Sequence, residues 1–180
     1  MTPTTILHVT PSESLSPASR RALRSMLDTA YDGDFSDHDW AHALGGLHVW
    51  IEGSAGPVSH ASVVPRTMVV GSRQCRVGYV EAVATEASSR QRGLATVVMR
   101  RIGDLIRERY ELGVLSTGAP GFYERLGWQR WRGPSFVMTT AGREPTPDDD
   151  GGLMALLGRL PATVDLDEAI VADWRPGDVW

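Results

Sequence analysis

The sequence predicts one mixed α/β domain, of the α+β kind, covering residues 1–180, and three observations carry that expectation. A length of 180 residues matches about one domain at ~150 residues each. The spacing of apolar residues switches several times between strand alternation and a helical stripe. The resulting order, β-α-α-β-β-β-α-β-α-β with a β-rich end, is not a regular βαβ repeat. Hydrophobic residues at 42% and charged residues at 22% lie in the ordinary globular range, which excludes wholesale disorder and fibrous repeats. Apolar runs such as Val97-Val98-Met99 fall far short of the ~20 residues that cross a bilayer. The opening MTPTTILHVTP lacks the basic-then-apolar order of a signal peptide. A soluble, cytoplasmic protein with no membrane partner is expected.

The opening TILHV reads as a strand. Ser16 or Ser19 caps a helix through Tyr31, with Ala22, Leu23, Met26, Leu27 and Ala30 at helical spacing. A polar loop from Asp32 to Phe35 leads to a short helix from Asp37 to Ala43, closed by Gly45-Gly46. His48 to Glu52 and Val58 to Val70 alternate as an antiparallel pair around a turn at Gly53 to Pro57. After a turn at Gly71-Ser72-Arg73 the next strand runs from Arg76 to Thr85. From Arg90 the period changes, and Leu94, Val97, Val98, Ile102, Leu105 and Ile106 form the stripe of a helix to about Tyr110. Leu112 to Ser116 is a short strand, Gly121 to Leu126 a helical turn or two, and Gly127-Trp128 starts another strand. Ser135 to Thr139 and Leu153 to Leu157 read as strands, and Asp173 to Trp180 as a polar tail punctuated by Pro and Gly.

Eighteen basic against twenty-two acidic residues give a net charge of −4, which makes nucleic acid a poor default partner. Every basic residue is arginine, so no lysine serves as Schiff-base former or general base. Arg90, Arg92, Arg100, Arg101, Arg107 and Arg109 crowd the middle of the chain. Glu144, Asp148, Asp149, Asp150, Asp165, Asp167, Glu168, Asp173 and Asp178 crowd the end. That segregation suits one anionic and one cationic ligand. The single cysteine, Cys75, cannot make an internal disulfide and reads as a small buried filler. The five histidines have no metal-ligand spacing and read as structural, so no metal is expected.

Arg90-Gln91-Arg92-Gly93-Leu94-Ala95 lies between a strand and a long helix. The small Gly93 and Ala95 let the chain approach a ligand, and the helix start offers unpaired N–H groups at the positive end of a dipole. Arg90 and Arg92 add charges suited to phosphate oxygens. An ordinary strand-to-helix loop carrying surface arginines is the alternative. Arg-x-x-Gly-x-Ala between strand and helix resembles the acetyl-CoA signature of the Gcn5-related N-acetyltransferases, whose order of elements agrees over nearly the whole chain. The resemblance implies that family's fold: a mixed, mostly antiparallel central sheet with helices on both faces and a splayed pair of strands. It also implies a bulged strand whose backbone binds pantetheine and polarises the thioester, falling on Val83, Ala84 and Thr85. Phe122-Tyr123-Glu124-Arg125-Leu126-Gly127-Trp128 is similar to the later helix whose tyrosine faces the coenzyme sulfur.

Further segments narrow the resemblance. Gly33-Asp34-Phe35, Asp39 to His48, Gly78 to Ala84, Thr146 to Gly151 and Asp173 to Trp180 together resemble the aminoglycoside 2′-N-acetyltransferases, the mycobacterial ones above all. Ala82 stands where those enzymes tend to carry glycine, which narrows the room beside Glu81, and the loop from Ser116 to Tyr123 is shorter. A polycationic sugar needs carboxylates for its ammonium groups, and the resemblance assigns Asp34, Asp39, Asp149, Asp178, Glu81, Ala82, Ser116 and Trp180 to the sugar. Asp148 or Asp150 could take the place of Asp149, and Trp180 would offer an aromatic face and a terminal carboxylate. Acetyl transfer needs a base, an oxyanion donor and an acid for the thiolate. Glu81, the Val83 N–H and Tyr123 are the respective candidates. Acetyl-CoA is the implied cosubstrate and a homodimer the implied assembly. Two other readings stay open: an acetyltransferase for another amine (a cell-wall precursor, a polyamine or a protein N-terminus), and a non-catalytic module that binds acyl-CoA or sequesters a drug.

Overall fold

The computed structural model describes residues 6–158 and 164–180, so Thr5 of the expected first strand lies outside the described residues. The chain groups into two compact units. One takes the described residues through Val64 together with Val80–Ile102; the other takes Pro65–Tyr79 and Gly103–Trp180. Strands β3 (Gly56–Val70) and β4 (Arg73–Thr85) and helix α3 (Leu94–Arg109) each contribute to both.

In the first unit β1 (Ile6–Pro11) runs antiparallel to β2 (Leu47–Gly53), and β2 antiparallel to β3 with a register shift between Ile51 and Glu52. Helix α1 (Pro17–Ala30) starts where the Ser16 hydroxyl accepts from the Ser19 N–H at 3.0 Å and proline pre-sets the first turn. Its stripe buries Leu23, Met26 and Leu27. Helix α2 (Asp37–Ala43) opens on a reciprocal capping box between Ser36 and Asp39. Met26, Leu27 and Phe35 form a buried cluster against which Ala30, Trp40, Ala82 and Ala84 pack, so α1 supports the last residues of β4.

In the second unit the strand order is β6-β9-β5-β4-β3-β10-β7-β8, with β5 (Leu112–Ser116), β6 (Gln129–Arg130), β7 (Ser135–Thr139), β8 (Gly142–Pro145), β9 (Leu153–Leu157) and β10 (Ile170–Asp173). The β4–β5 and β10–β7 pairings are parallel; β3–β10, β5–β9, β6–β9 and β7–β8 are antiparallel. Leu112, Val114, Leu115, Leu153 and Met154 are buried in this unit, as are Leu105 and Ile106 from the second half of α3. Gly113 lets the Ile106 side chain pack close on β5: a Cβ there would meet Ile106 Cδ1 at 2.8 Å and push it aside. Helix α4 (Pro120–Glu124) begins at its proline.

Several boundaries differ from the sequence expectation. Strand β4 begins at Arg73, three residues before the expected Arg76, whereas helix α3 begins at Leu94, the first residue of its expected stripe, after a left-handed Gly93. The strand expected at Gly127-Trp128 starts at Gln129, because Gly127 turns the chain at φ +88°. Two strands were not expected. β8 is exposed and polar, so it shows no alternation, and β10 is only four residues long, flanked by acids.

Candidate active site

The last residues of β4 and the turn into α3 are shaped by the backbone. Ala82 sits at φ +52°, a left-handed conformation that residues with a Cβ rarely adopt. Its methyl group packs on the α1 cluster, which is where the alanine expected to crowd Glu81 puts its extra carbon. The carbonyls from Glu81 to Thr85 all accept from side chains. Ser62 Oγ donates to Glu81 (3.4 Å), His60 Nδ1 to Ala82 (2.9 Å), Tyr31 OH to Val83 (3.0 Å), Ser59 Oγ to Ala84 (3.3 Å) and Arg90 Nε to Thr85 (3.2 Å). Glu81 through Glu86 stay half-buried, within reach of a ligand.

Beyond a short 3₁₀ turn at Ala87–Ser89, Gln91 and Gly93 are both left-handed, at φ +61° and +76°. The Val97 N–H closes the first helical turn on the Gly93 carbonyl at 3.1 Å. The N–H groups of Leu94, Ala95 and Thr96 therefore precede the first intrahelical donor, have no carbonyl of the helix to bond, and form a donor set that fits a diphosphate. Arg90 also braces the turn: its Nε donates to Thr85 O and its Nη2 to Ala30 O at 3.4 Å.

The acids of the first unit differ from each other. Asp34 is exposed on the loop after α1, where its N–H bonds the Tyr31 carbonyl at 3.0 Å. Asp39 Oδ2 accepts from the Ser36 N–H (2.7 Å) and hydroxyl (2.8 Å), so this oxygen caps α2.

In the second unit most carboxylates already have partners. Asp167 holds Arg132 with two bonds of 2.6 and 2.7 Å, Glu144 accepts from Thr139 (2.7 Å), and Asp173 pairs with Arg66 (2.8 Å). Asp150 Oδ1 accepts from the Ser135 N–H (2.8 Å) and lies 2.7 Å from the Ser135 hydroxyl, anchoring the start of β7. Asp149 stands apart. Burial first, then the charges of Asp178, Asp148 and Asp150, push its carboxyl above the usual range. Asp149 and Asp178 are thus close enough to repel. Asp178 Oδ1 accepts from the Trp180 N–H at 3.2 Å.

Trp180 is 5% exposed, its Nε1 donating to Thr146 Oγ1 at 3.0 Å. This corrects the expected open aromatic face: the indole anchors the tail. Arg66, which sequence reading missed, clamps the same tail. It is 7% exposed, lies over the Tyr79 ring, and donates to Asp173 Oδ1 (2.9 Å), Asp173 O (2.8 Å) and Val179 O (2.7 Å). Its strand parity, shared with Val64, Met68 and Val70, was the readable signal.

Ser116 is exposed at the end of β5. Tyr123 is buried between Phe122 and Trp128, both edge-on, and hydrogen-bonded to the Thr117 side chain. Burial raises its hydroxyl pKa, opposed by the Thr117 bond, so the phenol keeps its proton near neutral pH. Cys75 is buried and its thiol pKa is raised by that burial, which suits a filler.

Residues 20–131 match the family described as an acetyltransferase (GNAT) domain. The chain is 44% identical over 173 residues to an aminoglycoside 2′-N-acetyltransferase of Mycolicibacterium fortuitum, covering 94% of this chain and 89% of the relative. Among solved structures it is similar to the GNAT-family acetyltransferase YhbS of Escherichia coli in complex with CoA, with a TM-score of 0.67 and 14% identity over 96% of this chain and 91% of that one. It is also similar to a GNAT-family acetyltransferase of Brucella melitensis in complex with acetyl-CoA, with a TM-score of 0.57 and 14% identity over 84% and 88%. The chain spans about a third of the length of several larger chains that share the fold.

Proposed function

The chain belongs to the GNAT acetyltransferase family, and on that premise we propose that it transfers the acetyl group of acetyl-CoA to the 2′-amino group of aminoglycosides. The observation that carries this reading is the end-to-end likeness to the Mycolicibacterium enzyme. The N–H groups at the start of α3, with Gln91, Arg92, Gly93, Leu94 and Ala95, bind the diphosphate, and Val83, Ala84 and Thr85 line the pantetheine.

The chemistry then divides among this chain's residues. Asp149, its carboxyl pushed up by burial and by the charge of Asp178, and Asp178 receive ammonium groups of the sugar, with Asp34, Asp39 and Ser116 as further contacts. Glu81 takes a proton from the attacking ammonium, directly or through water. The Val83 N–H donates to the thioester oxygen as negative charge gathers there. Tyr123 gives its proton to the departing thiolate and regains one from solvent as the new amide nitrogen sheds its second proton. The balance is an ammonium and a thioester giving an amide, a thiol and one released proton.

We infer further that the enzyme works in the cytoplasm as a homodimer. Met138, 47% exposed on β7, and Trp174, 59% exposed and one residue past Met138's β10 partner Asp173, supply apolar surface for a second copy. The test of the reaction is thiol release with kanamycin-like and gentamicin-like acceptors. Acceptors bearing a 2′-amine are expected to release CoA thiol and their 2′-hydroxyl analogues are not; equal turnover of both contradicts the regiochemistry. A polyamine or peptide with a much higher kcat/KM would replace the aminoglycoside as main acceptor.

A further inference from the structure

Behind the Ala82 carbonyl runs a buried polar chain. The Gly45 N–H donates to Ser12 Oγ, Ser12 Oγ meets His48 Nε2, His48 Nδ1 meets His60 Nε2, and His60 Nδ1 meets the Ala82 carbonyl, each at 2.9 Å. His48 and His60 are fully buried. The Ser12 hydroxyl also lies 3.2 Å from the Gly46 carbonyl, which already accepts from the Ser12 N–H, so the direction is set at the other end, where the Ala82 carbonyl only accepts. His60 must carry a proton at Nδ1. While neutral it accepts at Nε2, which puts the His48 proton at Nδ1 and leaves His48 Nε2 to accept from the Ser12 hydroxyl. Reversing His48 would place protons on both nitrogens of His60 and make it a buried cation.

Burial opposes that cation. It pushes His60 down to about 4, and burial together with the charges of His60 and Arg20 pushes His48 down to about 3. With both rings neutral and His60 donating to Ala82, one arrangement satisfies both histidines: Ser12 donates to His48, His48 to His60 and His60 to Ala82.

We propose that His60, backed by His48 and Ser12, is a positioning residue for acetyl transfer: it holds the Ala82 carbonyl, keeps a residue with a Cβ in the left-handed bulge, and so keeps the Val83 N–H in place for the developing oxyanion. Glycine would adopt that conformation unaided; alanine needs a hold. The proposal rests on the acetyltransferase reading of Val83.

Thiol release from acetyl-CoA, measured for His60→Leu and His60→Asn in the native chain and in an Ala82→Gly background, tests it. His60→Leu is expected to lower kcat about tenfold or more while the KM for acetyl-CoA moves less than about threefold. His60→Asn keeps an N–H donor and is expected to restore most of that rate. In the Ala82→Gly background the leucine substitution is expected to lower kcat less than about threefold, because the glycine needs no holding. Equal losses in both backgrounds, a loss confined to KM, or an asparagine variant as slow as the leucine variant overturns the proposal. If the leucine variant does not fold, nitrogen NMR of the wild-type rings decides. Neutral His48 and His60 both protonated at Nδ1 are the expected result, and a His60 protonated at Nε2 alone is the contrary one. Any amine acceptor serves for the kinetics, so failure to acetylate aminoglycosides would remove the acceptor assignment and leave this test in force.

Discussion

The segment from Glu81 to Ala95 and the acid-bearing segments, Thr146–Asp150 and Asp173–Trp180, are built in opposite ways. In the first, side chains face inward to hold carbonyls, through Ser62, His60, Tyr31, Ser59 and Arg90, and the backbone is what a ligand would meet. In the second, Arg66 holds the Asp173 and Val179 carbonyls, Ser135 holds the Thr146 carbonyl, the Trp180 indole ties the tail to the Thr146 hydroxyl, and carboxylates are what a ligand would meet. A backbone site is defined by conformation, so it needs glycine and a helix start and leaves a short motif in the sequence. A side-chain site is defined by which acids still lack partners, and no motif records that. The two should respond to substitution along different kinetic axes.

The largest expected effect lies on the chemistry. Glu81→Gln should lower kcat by about 10²- to 10⁴-fold, and Tyr123→Phe should lower it too, read as CoA thiol release on the folded variants. Variants that match wild type would remove those two roles and leave the family assignment standing.

Next comes the contrast between adjacent acids. Asp149→Asn should raise the KM for the aminoglycoside roughly tenfold to a hundredfold, with little change in the KM for acetyl-CoA. Asp150→Asn should instead lower stability by about 1–2 kcal/mol through the weakened Ser135 anchor. Equal behaviour of the two would erase the distinction between bound and available carboxylates. The pH dependence has a definite sign. A carboxyl whose folded pKa is raised contributes stability at low pH and loses it as pH rises through that folded value. Asp149→Asn should therefore be more thermally stable than wild type near pH 7, and the gap should close as pH falls below the raised value. A gap that widens on acidification contradicts the raising of the Asp149 carboxyl by burial and by the neighbouring acids.

Arg66→Met removes three bonds to the tail, to Asp173 Oδ1, Asp173 O and Val179 O. Asp173 is half exposed, which discounts its ion pair. The expected loss is about 1.5–3 kcal/mol, with the KM for the aminoglycoside rising and that for acetyl-CoA holding, measured by thermal denaturation and two-substrate kinetics. The smallest effect belongs to Tyr31→Phe, which removes one exposed bond to the Val83 carbonyl. It should lower stability by about 0.5–1 kcal/mol.

Elements with their own local signals were legible in the sequence. A serine cap and the apolar stripe located α1, the polar loop before Asp37 and the Gly45-Gly46 stop bracketed α2, and apolar runs between turn residues located β5, β7 and β9. β8 and β10 were not, since an exposed polar edge and a four-residue strand carry no period. In the phosphate turn Gly93 was readable and the left-handed Gln91 was not, because a glutamine announces no positive φ. Arg90 and Arg92 look equivalent as residues; only the fold shows that Arg90 braces Thr85 and Ala30. The same limit applies to Asp148-Asp149-Asp150, where the Ser135 contact of Asp150 depends on strand placement across fifteen positions. His48 and His60 had no metal spacing, and their pairing follows from neighbouring strands β2 and β3.

The most direct measurement is assignment, by mass spectrometry and NMR, of the acetylated nitrogen on an aminoglycoside carrying several amines. A single acetyl group on the 2′-nitrogen is the expected result. An acetyl group on any other nitrogen, or an unmodified drug after complete incubation with acetyl-CoA, contradicts it.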